Sequence, residues 1–205
     1  MINGEPTTRQ YILNAAKKEF LSKGFMGASL RNIVKEAGVT TGAFYGYYSS
    51  KEALFLALTE LPATTLLDKY KEAQNFFIEL PPEEQLKQMT KVSGDCMDWM
   101  VEYIYENFDA FHLIFCCSQG TAYENFIHTM VEIEVDATHR FYAVLKSLGY
   151  EPKPINSQLE HLLVSGQFTA FFEMVIHNMP KQQAVEFVKD LRAFYTAGWQ
   201  QIMGL

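Results

Sequence analysis

The segment from residue 29 to residue 51 constrains the fold more than any other part of the chain, because it reads as two short helices joined by a tight turn. Ile33 and Ala37 are spaced i and i+4, so both face one side of the first helix. Gly38 follows at once and can adopt the left-handed conformation that ends a helix at little cost. Phe44 is expected to point back to the core from the second helix. This arrangement predicts a helix-turn-helix.

The outward-facing positions of the second helix are small or carry a hydroxyl group, and none carries a negative charge. They are Thr41, Gly42, Ala43, Tyr45, Gly46 and Tyr47. Thr40 precedes them as the candidate helix cap. A surface without carboxylates can approach the phosphates of a nucleic acid without electrostatic repulsion. The second helix is therefore the candidate recognition helix.

Residues 7–57 resemble the amino-terminal region of the TetR family of bacterial transcriptional repressors. The most specific part runs from Gly38 to Phe55, with a Gly-Val turn, a G-x-x-Y recognition helix and the motif S-K-E-x-L-F at the start of a fourth helix. Matching helices flank the helix-turn-helix on both sides. The resemblance implies a ligand-responsive homodimer that binds a (pseudo)palindromic double-stranded DNA operator and releases it when a small-molecule effector binds.

The resemblance and the helix geometry together give ten candidate DNA contacts. Arg31 is the best candidate to read a guanine edge with two hydrogen bonds. Ser29 begins a helix whose first amides could meet a phosphate, and Lys51 is a natural phosphate cation. Gly46 offers no side chain, and Tyr47 replaces what is often a histidine, so both depart from the commonest pattern of the family. The expected DNA-binding residues are Ser29, Arg31, Thr40, Thr41, Gly42, Ala43, Tyr45, Gly46, Tyr47 and Lys51.

The charge of the chain is divided unevenly between its two parts. Residues 1–55 hold seven basic and four acidic side chains, and residues 56–205 hold ten basic and twenty acidic ones, within a total net charge of −7. Such asymmetry indicates a nucleic-acid-binding end on an otherwise acidic protein. We therefore expect a DNA-binding domain over residues 1–55 and a larger ligand-sensing and dimerisation domain over residues 56–205.

Every long segment has helical periodicity and none alternates as a strand does, which predicts an all-α fold of about nine or ten helices. Pro62 is expected to break or kink the fourth helix, because it lacks an amide donor. Gly94 is expected to separate two later helices. Three capping-box pairs are expected to open further helices: Ser49 with Glu52, Thr121 with Glu124, and Ser157 with Glu160.

Aromatic and methionine side chains crowd the stretch from Phe76 to Tyr142. Such side chains line adaptable pockets for apolar ligands, although each one taken singly is better explained as core. The resemblance predicts a pocket here for a small apolar, aromatic or cationic effector. The candidate pocket residues are Met97, Trp99, Met100, Tyr103, Phe108, Phe111, Phe115, Tyr123, Phe126, Met130 and Phe141.

Acidic residues recur every three or four positions from Asp95 to Asp109, on the same predicted helix as several of these aromatic residues. A solvated face explains such a stripe most simply. Alternatively, one carboxylate turns inward and holds a cationic ligand together with an aromatic ring. The sequence leaves open whether the stripe lines the pocket or faces solvent.

The last two predicted helices carry stripes of small residues beside aromatic ones. Small residues let helix backbones approach closely, and aromatic rings supply buried area. In the family that the chain resembles, the last two helices of each subunit form a four-helix dimer interface; an intramolecular core is the alternative. The candidate interface residues are Ser165, Gly166, Thr169, Ala170, Phe194, Ala197, Gly198 and Ile202.

Other classes of function find little support in the sequence. There is no glycine-rich phosphate loop, His-Glu-x-x-His motif or nucleophile signature, so we expect neither an enzyme nor a bound cofactor. Glu–His pairs at i, i+4 are expected to be surface pairs rather than metal ligands. Residues 1–6 show no signal peptide, and no apolar run approaches the ~18 residues of a membrane span, so the chain is expected to be cytoplasmic. The alternative is a helical small-molecule or metal-binding protein that does not bind DNA.

Overall fold

The computed structural model describes residues 7–205, and this part of the chain forms nine α-helices without a β-strand. The expectation of an all-α fold is confirmed there. The helices are α1 (Thr8–Gly27), α2 (Leu30–Glu36), α3 (Thr41–Tyr45), α4 (Lys51–Glu79), α5 (Pro82–Glu106), α6 (Phe108–Cys116), α7 (Phe126–Ser147), α8 (Ser157–Ile176) and α9 (Lys181–Met203). None of these nine is long and apolar enough to cross a membrane. Residues 1–6, where no signal peptide is expected, lie outside the described residues.

Helix α1 begins where the sequence indicates. The Thr7 side chain accepts a hydrogen bond from the backbone amide of Gln10 at 3.3 Å, as one half of a capping box does. Ile12 and Phe20 are fully buried on its inner face. Gly24 leaves the helical conformation with a φ of +67°, which a residue without a Cβ adopts at little cost.

The predicted helix-turn-helix is present in α2 and α3. Gly38 has a φ of +66° in the turn between them, as a residue that ends a helix in the left-handed region does. The Thr40 side chain caps α3 by accepting a hydrogen bond from the amide of Ala43 at 3.1 Å. Ile33 from α2 and Phe44 from α3 are both fully buried, so the two helices share one apolar core.

Helix α4 continues through Pro62 as a single helix of 29 residues, so the expectation of a break there is wrong, while the alternative of a kink stays a prediction. A proline in a helix interior removes one backbone hydrogen bond. Thr59, Ala63 and Leu66 lie on either side of it and are fully buried. The burial of this face stabilises the continuous helix against the loss of one hydrogen bond.

The helix boundary expected at Gly94 is also absent, because α5 runs through this position and ends only before Asn107. A Cβ atom on Gly94 would lie 2.7 Å from Nη1 of Arg192 in α9. This glycine therefore leaves room for the guanidinium of a neighbouring helix rather than ending its own helix.

The caps that open two other helices lie one residue away from the expected serines. Ser50, not Ser49, caps α4 by accepting a hydrogen bond from the amide of Ala53 at 3.0 Å. Asn156, not Ser157, caps α8 through its side-chain oxygen. Helix α7 starts after the third expected capping pair, which lies in the turn before it.

The described residues form two compact units. The first unit runs to Thr64 and includes Asn107–Glu124, and the second consists of Thr65–Glu106 and Asn125–Leu205. Helix α6 thus belongs to the unit that carries the helix-turn-helix, whereas the expected division at residue 55 assigns it to the larger domain. That division of the chain stays a prediction.

Candidate nucleic-acid interface and cavity

The first unit presents α3 as an exposed surface on a buried base. Phe44 is fully buried and Tyr48 nearly so, with their ring centroids 6.0 Å apart. Tyr45 and Tyr47 keep 55% and 51% of their surface exposed. The outward positions expected in this segment are all exposed, and α3 itself contains no carboxylate.

The structure brings the ten expected DNA-binding residues together in the first unit. Arg31 and Thr40 are exposed, together with the six outward positions of the recognition segment, while Ser29 and Lys51 are half-buried. The two half-buried residues make contacts that the sequence did not indicate.

The amino-terminal end of α2 already holds a carboxylate. The backbone amide of Ser29 and the side-chain amide of Asn32 both donate hydrogen bonds to Oε1 of Glu19 at 3.1 Å. These bonds, the one from the Ser29 backbone first, lower the pKa of Glu19 below its ordinary value. A phosphate at this helix start would be repelled by the Glu19 carboxylate and would compete with it for the Ser29 amide. A contact between Ser29 and DNA stays a prediction.

The ammonium of Lys51 is directed at the end of α1. Its Nζ donates hydrogen bonds to the carbonyl oxygens of Phe25 at 2.6 Å and Ala28 at 3.1 Å, and lies 4.5 Å from the centroid of the Phe25 ring. Two of its three donors therefore serve the fold of the first unit. A phosphate contact through the third stays a prediction.

Arg9 is a cation near this surface that the sequence analysis missed. Its Nε donates a hydrogen bond at 3.2 Å to the hydroxyl of Tyr48, three residues after the end of α3. The two residues are 39 positions apart, and no local pattern links them.

The second unit contains a cavity of about 220 Å³ among α4, α5, α7, α8 and α9. Met97, Met100 and Phe141 line it, as expected from the sequence. Tyr70, Phe168 and Trp199 also line it and were not expected.

Eight of the eleven candidate pocket residues do not line this cavity. Phe108, Phe111, Phe115 and Tyr123 belong to the first unit, and Trp99, Tyr103, Phe126 and Met130 occupy other positions of the second. Their apolar surface is used in packing instead: Met130 is fully buried, and the rings of Trp99 and Tyr103 stack at a centroid distance of 4.9 Å. Most of the apolar residues that were expected to line a pocket therefore pack against other parts of their unit instead.

One carboxylate, Glu134 from α7, lines the cavity. The Tyr70 hydroxyl and Nε2 of Gln74 both donate hydrogen bonds to its Oε2, the latter at 2.6 Å. Burial raises the pKa of Glu134 and the pKa of Tyr70 above their ordinary values. Burial also raises the pKa of the nearby Cys96 thiol to about 11, so this thiol is protonated at neutral pH.

The sequence contains a signal for Glu134. Met130, Thr138 and Phe141 are buried on one face of α7. Glu134 stands between them at spacings of four, four and three, which places a charged residue on the apolar face of the helix.

The acidic stripe faces solvent, and none of its members lines the cavity. The hypothesis that one of these carboxylates turns into the pocket is therefore replaced by Glu134 on another helix. Four members form ion pairs: Asp95 with Lys91 at 2.9 Å, Asp98 with Arg192 at 3.2 Å, Glu102 with Lys181 at 2.6 Å and Asp109 with Lys17 at 2.6 Å.

The candidate interface residues of α8 and α9 divide into two groups. Thr169, Phe194, Ala197 and Gly198 are exposed, and Phe194 keeps 72% of its surface open. Ser165, Gly166, Ala170 and Ile202 are half-buried. A Cβ atom on Gly166 would lie 3.1 Å from the Tyr195 hydroxyl, so this glycine serves the packing of α8 against α9 within the chain.

Leu162 of α8 is a large apolar residue with 67% of its surface exposed, and the sequence analysis missed it. It precedes Gly166 by four positions and could have been found from the helical spacing of the small-residue stripe.

Comparison with known proteins connects the helix-turn-helix to a family. Residues 12–58 match the family model described as bacterial regulatory proteins, tetR family. The uncharacterized HTH-type transcriptional regulator YerO of Bacillus subtilis is 30% identical over 103 residues, which are 48% of this chain and 36% of YerO. The HTH-type transcriptional regulator AcrR of Shigella flexneri is 39% identical over 70 residues, 34% of this chain and 33% of AcrR. The chain thus spans about a third of the length of these curated relatives.

Solved structures of transcriptional regulators share the fold over nearly the whole chain. A TetR-like transcriptional regulator from a Rhodococcus species has a TM-score of 0.53 at 18% identity, covering 96% of this chain and 100% of that one. The regulator FadR from Bacillus subtilis, in complex with stearoyl-CoA, has a TM-score of 0.54 at 14% identity, covering 92% and 97%. At these identities the likeness shows the fold.

The fold and the surface of α3 define an all-α protein with an exposed helix-turn-helix. Over residues 12–58 the chain is similar to the TetR family of bacterial regulatory proteins, and the curated relatives that it matches are HTH-type transcriptional regulators.

Proposed function

We propose that this chain is a homodimeric repressor that binds a (pseudo)palindromic DNA operator through α3 and releases it when a small molecule occupies the cavity of the second unit. The observation that carries the proposal is the exposed, carboxylate-free surface of α3, held from beneath by Phe44 and Tyr48. Its tyrosine hydroxyls can bind phosphates, which position a protein on DNA, while Arg31 reads a base edge.

Exposed apolar residues on α8 and α9 support the dimer. Leu162 and Phe194 keep most of their surface exposed in the single chain, and a second copy would cover them. A dimer presents two copies of α3, which then contact half-sites about 34–36 Å apart.

The chain path supports the coupling of the cavity to α3. Helix α6 lies in the first unit, while α5 and α7, which precede and follow it in the chain, lie in the second. Leu113 and Cys117 of the α6 region are buried in the core that also holds Phe44. Pro62, two residues before the boundary in α4, lacks one backbone hydrogen bond and is the proposed pivot. A ligand that prefers one of two arrangements then sets how much DNA binding is lost.

The test measures DNA binding by fluorescence anisotropy, on DNA from upstream of the gene and on a site obtained by selection from random sequences, across a salt series. We expect affinity to fall with salt, as phosphate contacts require. Tyr47→Phe and Tyr45→Phe each remove one hydroxyl and should weaken binding by about tenfold. Tyr150→Phe makes the same change on an exposed tyrosine of the second unit and should have no effect.

Failure of both DNAs to bind would overturn the proposal and favour the ligand-binding protein without DNA binding. Equal effects of the three tyrosine changes would overturn the role of α3. A small molecule that stabilises the second unit but leaves DNA affinity unchanged would contradict ligand-dependent release.

A further inference from the structure

We propose that the cavity of the second unit binds a small aromatic organic cation, an alkylated ammonium, whose positive charge is held by the Glu134 carboxylate. The inference rests on the proposed function in one respect, namely that this cavity is the effector site.

Within residues 7–205, no cationic side chain pairs with Glu134. Its described hydrogen-bond donors are the neutral Tyr70 hydroxyl and the neutral Gln74 amide. Among residues 7–205, no lysine, arginine or histidine nitrogen lies within 4.0 Å of this carboxylate. Carboxylates away from water are normally paired with a cation, so the missing partner points to a charge that a ligand brings.

Two cations of the described cavity wall, Arg140 and Arg192, are already paired with other carboxylates. Arg140 contacts Asp136 at 3.0 Å, and Arg192 contacts Asp98 at 3.2 Å. Their charge is therefore offset at close range, which leaves Glu134 as the charged group of the wall that lacks a partner. An anionic ligand would have to compete with Asp136 and Asp98 for the guanidinium groups.

Aromatic rings form much of the rest of the wall. Tyr70 and Phe168 meet edge to face with centroids 5.7 Å apart, and Phe77 lies 5.6 Å from Phe141. Trp199 lines the cavity as well. Aromatic faces attract a cation through their quadrupole and pack against an aromatic ligand, so the wall suits a cation with an apolar body.

The energetics favour a cation over a neutral molecule of the same shape. Burial of Glu134 penalises its negative charge and thereby raises its pKa. A ligand cation relieves that penalty and adds attraction to the rings, whereas a neutral ligand gains only apolar burial. We expect a preference of at least about tenfold for the cation.

The experiment uses three probes of similar size and titration calorimetry on the full chain. They are benzyltrimethylammonium, the neutral 2-methyl-1-phenyl-2-propanol, whose branched end replaces the trimethylammonium group, and the anion 3-phenylpropanoate. We expect the cation to bind at least about tenfold more tightly than either of the others. Glu134→Gln should lower the affinity for the cation to that for the alcohol and leave the alcohol unaffected.

Glu132→Gln is the matched control, because Glu132 lies on the same helix with 61% of its side chain exposed. It should not change the cation preference. Circular dichroism of both variants establishes that they are folded, and retained alcohol binding by Glu134→Gln shows that the cavity is intact.

Equal affinity for cation and alcohol, tightest binding of the anion, or an unchanged preference in Glu134→Gln would each overturn the inference. DNA binding is measured separately on the same preparations. Glu134-dependent cation binding without loss of DNA affinity supports the cation site and overturns its role as an effector site. DNA binding without any cation preference overturns the inference and leaves the DNA-binding function supported.

Discussion

Replacing Lys51 by methionine removes the ammonium that joins the start of α4 to the end of α1 while keeping most of the side-chain length. The ammonium donates hydrogen bonds to the carbonyl oxygens of Phe25 and Ala28 and lies over the Phe25 ring. Hydrogen bonds from a charged donor contribute roughly 1.5–3 kcal/mol each when their partner is left unsatisfied. Here Lys51 is half-buried and water can reach the carbonyls in its absence, so each contributes less.

With a partly exposed cation–π contact of about 0.5–1 kcal/mol, we expect the free energy of unfolding to fall by about 2–3 kcal/mol in Lys51→Met. Urea unfolding followed by circular dichroism measures the total. Hydrogen exchange at the amides of the first unit shows whether the loss is local. Lys35→Met removes the same charge from an exposed position of α2 and should change stability by less than about 0.5 kcal/mol.

A loss below about 0.5 kcal/mol in Lys51→Met would refute the structural role of the lysine. The same pair of variants addresses its expected phosphate contact. If Lys51 also binds a phosphate, the logarithmic salt slope of DNA binding falls by about 0.9 in Lys51→Met at a temperature where the variant is folded.

Three further changes test other parts of the molecule. Leu162→Asp places a charge in the proposed interface and should shift a dimer to monomer in light scattering after gel filtration, whereas Leu61→Asp, at an even more exposed leucine of α4, should not. If both variants remain dimers, the proposed interface is contradicted. Arg31→Ala should weaken binding to a selected operator by about 1–3 kcal/mol and relax selectivity at one base pair, as read by repeated selection; a uniform loss on all sequences would instead indicate a phosphate contact. Because burial raises the pKa of Glu134, the folded state holds this proton more tightly than the unfolded chain, and that contribution to stability disappears as pH rises through the folded-state pKa. Raising the pH from about 5 to 8 should therefore lower the thermal unfolding temperature of the natural protein more than that of Glu134→Gln. Parallel plots of unfolding temperature against pH for the two proteins would contradict the raised pKa of Glu134.

The first unit could be predicted closely from the sequence because local rules decide its structure. A left-handed glycine, a threonine cap and apolar residues at helical spacing act within a few residues of one another, and Gly38, Thr40 and Phe44 all occupy their predicted roles. The helix break expected at Pro62 and the helix boundary expected at Gly94 are absent for the opposite reason. Each of these two residues is surrounded by tertiary packing that overrides its local preference, and single-sequence patterns contain no information about the packing partner.

The cavity was predicted least well, because composition identifies apolar residues but does not tell a cavity wall from a filled core. Met100 lines the cavity and Met130 is buried core, although both stand at helical spacing among aromatic residues. Glu134 was the better indicator of the cavity, since a carboxylate on an apolar helix face destabilises the fold unless it is paired or hydrogen-bonded.

The membership of α6 in the first unit has a consequence for building chimaeric regulators. The amide of Phe25 donates a hydrogen bond at 2.8 Å to the carbonyl of Cys117, and Leu113 is fully buried in the core beneath the helix-turn-helix. A fragment of this chain that ends at Thr64 would lack α6, so its core would lose Leu113 and the hydrogen bond between Phe25 and Cys117. Transfer of the DNA-binding unit to a different ligand-binding domain therefore requires two stretches of sequence, the second being Asn107–Glu124. In the recipient protein, the helix equivalent to α6 must be replaced together with the amino-terminal helices.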